Sequence, residues 1–122
     1  MALARDIVQA GLSGGTANAI QGSVKSSISA AGTVITDATD LTASFNMLST
    51  VADGAGVQIP QLQANESLLI YNGGANSCKV YPGASTVAIN QLPVGTAMVL
   101  ARFTAVIING ISSTQVAAFL SA

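Results

Sequence analysis

Beyond residue 33 no apolar run outgrows a β-strand, and Gly, Asn, Asp and Pro punctuate the sequence of runs. Nine short runs rich in Val, Ile, Leu and Thr follow one another, at 33–36, 45–51, 57–59, 67–72, 77–81, 86–89, 95–103, 104–109 and 114–120. Short strands at regular spacing, separated by turn residues, predict an all-β domain over 33–122, a small antiparallel sandwich or barrel. Asn72-Gly73-Gly74-Ala75-Asn76 reads as a tight hairpin whose glycines permit positive φ. Pro82-Gly83 and Asn109-Gly110 mark further turns.

Several of these strands are apolar on both sides. Leu68 and Ile70 alternate with Leu69 and Tyr71; Met98 and Leu100 with Ala97, Val99 and Phe103; Val106 and Ile108 with Ala105 and Ile107. A strand with one wet face should alternate apolar with polar, so the second face must also be covered. Charge is scarce as well: four Lys and Arg, five Asp and Glu, and no His among 122 residues. That is 7% against roughly 25% in an ordinary soluble domain. A free monomer of this kind would expose sticky neutral surface. The expectation is a subunit whose outer faces meet sister chains, with Leu69, Tyr71, Val99, Phe103 and Ile107 at the interface. A closed symmetric homo-oligomer is the usual form, and a trimer is favoured.

The first 32 residues have a different texture. Leu3 and Ile7, like Val8 and Leu12, are four apart and share one helical face; Gly11, Gly14 and Gly15 close that segment. A second short turn carries Ile20, and the Ser-rich stretch 23–31 reads as a small-residue linker. Helices shorter than about 12 residues order by docking on a partner. Residues 1–32 are therefore expected to be a short helical or extended arm, with Leu3, Ile7, Val8, Leu12 and Ile20 as docking residues. The opening residues do not have the long apolar core of a secretory signal, and no run approaches the ~18 residues of a spanning helix. No membrane is expected as a partner.

Chemistry is poorly provided for. Without histidine, the acid–base candidates are Asp6, Asp37, Asp40, Asp53, Glu66, Lys25 and Lys79, and Asp suits turns. Lys25-Ser26-Ser27 places a lysine beside serines, but in a stretch that reads as solvated. The lone Cys78 excludes an intrachain disulfide and a cysteine-rich zinc cluster, and reads as a small buried hydrophobe. Arg5, Lys25, Lys79 and Arg102 are scattered, so no nucleic-acid footprint exists. Tyr71 and Tyr81 could form an aromatic platform for a sugar or a base; core or cross-strand packing is the simpler expectation. No enzyme activity, metal or cofactor is expected.

The stretch Val57-Gln58-Ile59-Pro60, then Glu66 through Pro82, then Ile89-Asn90-Gln91-Leu92-Pro93 and Thr96-Ala97 resembles a module of tailed-bacteriophage virion proteins. In that family a "V-x-N-x-G-A-N-x-x-x-V-Y-P" hairpin is followed by "I-N-x-L" and apolar strands. Its members are small capsid decoration (cement, or head-fibre) proteins and related tail-fibre pieces. The opening, Ile7 through Ile20, also looks like the N-terminal segment of small phage structural proteins. The resemblance implies a β domain, often trimeric, that sits on the head of the virion with its N-terminal segment engaging the major capsid protein. A tail, fibre or adaptor component is the alternative, and a carbohydrate-binding module a more distant one. One departure is the last strand, where the family's Trp-Tyr-like aromatics are replaced by Val116 to Leu120 with Phe119 alone.

Overall fold

The computed structural model describes residues 23–120, which are built from strands, turns and loops with no helix among them. The strands are β1 (Val24–Ala30), β2 (Thr39–Asp40), β3 (Phe45–Val51), β4 (Gly56–Gln58) and β5 (Ser67–Asn72), then β6 (Cys78–Tyr81), β7 (Ala88–Ile89), β8 (Met98–Leu100), β9 (Ala105–Ser112) and β10 (Gln115–Leu120). Sheet A has six strands in the order β1-β3-β5-β9-β10-β7, and sheet B four in the order β2-β4-β6-β8. Through β8, each successive strand crosses to the other sheet. Neighbours β1, β3 and β5 are therefore parallel, as are β2, β4 and β6. The all-β expectation holds. The antiparallel sandwich or barrel does not, because the chain winds between two sheets like a solenoid.

Why it winds is visible in the burial pattern. In β3 the residues Asn46, Leu48 and Val51 face inward, and in β5 Leu68, Ile70 and Asn72 do. Sheet B answers with Val57, Cys78, Val80, Met98 and Leu100, so one core is shared by both layers. Successive coils also meet along their backbones. Ser44 N donates to Ser23 Oγ at 2.9 Å and Ser44 Oγ to Ser23 O at 2.8 Å, while Leu69 N donates to Ser44 O at 2.8 Å. The winding stops where β9 turns back antiparallel on β5 and closes a hairpin with β10 through Ser113 and Thr114.

Four local expectations are corrected. The stretch 72–76 is no hairpin: β5 belongs to sheet A and β6 to sheet B, so it is a corner between layers. Its glycines are needed for space rather than for positive φ, which is confined to Gly32, Gly54 and Gly95 among the described glycines. A Cβ on Gly74 would lie 2.7 Å from the backbone nitrogen of Val51. Asn109-Gly110 is not a turn either but the interior of β9. There a Cβ on Gly110 would sit 2.1 Å from the Gln63 carbonyl oxygen, and the backbones of Asn65 and Glu66 bond to Gly110. Finally, the expected linker at 23–31 contains β1, an integral strand of sheet A, while residues 33–36 form a loop and not a strand.

The corner at 72–76 is held by a buried amide. Asn72 Nδ2 donates to Asn76 O at 2.9 Å and Leu100 O at 3.0 Å, and its Oδ1 accepts from Gly74 N at 3.0 Å. Asn76 Nδ2 in turn donates to Val51 O at 2.9 Å. Asn72 thus ties the corner to sheet B, and Asn76 ties it to the preceding coil. Asn72→Ala would remove hydrogen bonds to three backbone groups, Asn76 O, Leu100 O and Gly74 N, each a loss of roughly 1–3 kcal/mol less whatever water or neighbouring partners recover. We predict a loss of about 2–4 kcal/mol in urea unfolding. A loss below about 0.5 kcal/mol would show that the corner does not depend on this amide.

Candidate functional site

The distinctive surface of this molecule is the outer face of sheet A. Register aligns Val24, Phe45, Leu69, Ile107 and Phe119 in one row across β1, β3, β5, β9 and β10. Four of the five are exposed, from 37% for Phe45 to 66% for Val24. A second row carries Met47, Tyr71 and Ala105, and Ile111 extends the apolar surface along β9. In all six strands of sheet A the only formal charge is Lys25. Its register partner is the buried Asn46, so it lies on the opposite side of the sheet from Val24. The outward positions carry no charge at all.

The edges of the sheets are treated differently. β1, the long edge of sheet A, shifts register between Lys25 and Ile28 and again before Ser29, with Ser27 at φ 60°. Bulges and a lysine are devices that spoil an edge for further strand pairing. The other edge strands β2, β7 and β8 are two or three residues long. Edges are blunted; one face is bare.

Three of the five expected interface residues, Leu69, Tyr71 and Ile107, fall together on this face. Val99 does not. It lies on the outside of sheet B beside Lys79, 61% exposed. Phe103 sits in the turn between β8 and β9 at φ 63°, its backbone nitrogen bonded to Asn72 O and its ring 4.2 Å from the Arg102 guanidinium. Arg102 covers that ring. Leu3, Ile7, Val8, Leu12 and Ile20 lie outside the described residues. Sequence reading missed Val24, Phe45, Met47 and Phe119. The alternation Phe45-Met47 against Asn46-Leu48 was the available signal, masked because the inward set includes an asparagine.

The two tyrosines do not meet. Tyr71 stands on the outside of sheet A, whereas Tyr81 lies over Gly56 on the outside of sheet B, its hydroxyl donating to Thr33 O at 2.9 Å. Asp37 Oδ1 accepts from Thr33 N and Val34 N, and Glu66 Oε1 from Gln63 N, so both carboxylates close turns. Among the described residues no group of three or more His, Cys, Asp and Glu could hold a metal, and no helix could cross a membrane. Compared with protein-family models, curated proteins and solved structures, the chain matches none of them.

Cys78 is fully buried, and that burial pushes its thiol up from 9.0 to about 11, partly opposed by a hydrogen bond from the Val57 backbone. A thiol harder to ionise when folded leaves stability untouched below about pH 9 and removes it as pH climbs through about 11. We predict that native protein at pH 8 reacts with a thiol reagent only as fast as it unfolds. The Cys78→Ala variant should lose less stability between pH 9 and 11 than the parent, by at most about 2–3 kcal/mol. Rapid labelling of folded protein would contradict the buried thiol.

Proposed function

We propose that this protein is a structural subunit of a bacteriophage virion, a capsid decoration (cement) protein that binds the shell of major capsid protein and stabilises the head. The observation that carries the structural role is the outer face of sheet A: apolar across five strands, without a charge, on a body whose edges resist strand addition. Such a face is built to be covered. What directs that role to the virion is the resemblance carried by Val57–Pro60, Glu66–Pro82 and Ile89–Pro93. The protein is made in the host cytoplasm and ends on the capsid surface. It acts without catalysis or cofactor.

In this reading the labour is divided. The two-sheet body self-associates, and the residues before β1, with Leu3, Ile7, Val8, Leu12 and Ile20, engage the shell. Joining arms through an oligomer turns later attachments into intramolecular events and raises avidity by about 10²–10⁴. A tail or fibre role would use the same body. The separation of Tyr71 from Tyr81 argues against the sugar-binding alternative.

Co-sedimentation with empty phage heads tests the reading. Because β1 belongs to the sheet, the informative truncation removes residues 2–22 and spares Val24–Ala30. The truncated protein should keep its β-type circular dichroism and lose at least tenfold in shell affinity. Decoration by the truncated chain as well as by the full one would refute the docking arm, and no sedimentation of the full chain with heads would refute the decoration role.

A further inference from the structure

We infer that the outer face of sheet A is covered by the same face of a second copy of this chain, related by a two-fold axis running parallel to β5 above Leu69. This deepens the structural-subunit reading by naming the partner of the bare face, and rests on it only in taking that face to be covered. The order of residues along the rows points to this partner. A two-fold axis parallel to the strands lays each strand opposite its mirror position about β5. Leu69 then meets Leu69, Phe45 on β3 meets Ile107 on β9, and Val24 on β1 meets Phe119 on β10. In the second row Tyr71 lies at the centre and Met47 meets Ala105. Away from the axis, each larger side chain is offered a smaller one.

Charge agrees with this occupant. A face packed against itself brings like charges together wherever it carries any, and here the outward strand positions carry none. A charged partner would find nothing to pair with. Area sets the strength. Strands ~4.8 Å apart and two to three outward positions along each give about 350–500 Å² of face per copy. That is below the roughly 800 Å² per partner of a standard interface. The pair should therefore form reversibly and dissociate on dilution. Sheets stacked face to face sit ~10 Å apart, and an axis parallel to β5 keeps that strand aligned with its copy, so the rows interdigitate without strand addition.

Sedimentation equilibrium of the purified full chain over a wide concentration range tests the pairing. Two chain masses at high concentration, falling to one on dilution, are expected. Ile107→Glu should weaken association at least tenfold. Val99→Glu, on the outside of sheet B, should leave it unchanged. If Ile107→Glu fails to fold by circular dichroism, Phe119→Glu at the 58% exposed end of the row replaces it. A monomer at every concentration, a mass of three copies as the sequence favoured, or a pair untouched by the folded row variant would each overturn the inference. Pairing in a protein that does not coat phage heads would leave this inference standing and remove the decoration role; a monomer that coats them would do the reverse.

Discussion

Satisfying backbone polar groups at the corners is the constraint on which this structure depends. A chain that crosses from one sheet to the other with nearly every strand must bury turns between the layers, where water cannot reach every N–H and C=O. Asparagine supplies the missing partners, since its amide both donates and accepts. Asn72 uses both capacities, spanning Asn76 O, Leu100 O and Gly74 N. Asn46 donates to Ala43 O at 2.8 Å and Leu69 O at 3.3 Å, holding the entry to β3 against β5. With those carbonyls occupied, Leu48, Ile70, Val80 and Leu100 can close a core with almost no exposure. The polar interior residues therefore permit the hydrophobic one.

How much was legible in the sequence follows from which forces are local. Strand positions were legible because β-branched and apolar alternation acts over a few residues: 45–51 and 67–72 coincide with β3 and β5. Connectivity was not. The same Asn-Gly-Gly sequence serves a hairpin within a sheet or a corner between sheets, and the choice is made by distant partners such as Val51 and Leu100. Gly110 shows the same limit, since its glycine answers the Gln63 carbonyl and not a turn. β1 was hidden because Ser26, Ser27 and Ser29 look like a linker, yet an exposed, bulged edge strand needs few large side chains.

The candidate site was half legible for a related reason. Two-sided apolar strands pointed to an apolar outer face, and Leu69, Tyr71 and Ile107 stand together on one. The strand pattern gives each residue a side but not the sheet to which the strand belongs. Val99 satisfies the pattern as well as Ile107 does, but its strand lies in the other layer beside Lys79. Likewise Tyr71 and Tyr81 lie on consecutive strands and occupy opposite sides of the body.

The contrast between edges and face gives the proposed assembly its logic. A solenoid exposes the strand edges of its end coils, and unprotected edges propagate into open-ended fibres. Here β1 is bulged and carries Lys25, and the other edges are two or three residues long. Growth along the winding direction is therefore blocked at a cost of only local irregularity. The outer face of sheet A carries no such protection: its outward positions are uncharged, and Phe45, Ile107 and Phe119 stay exposed in register. Had solubility of a lone chain been the governing constraint, those positions would tolerate lysine or glutamate without touching the core. Their neutrality keeps the face adhesive while the edges stay inert, which favours closed association over endless growth.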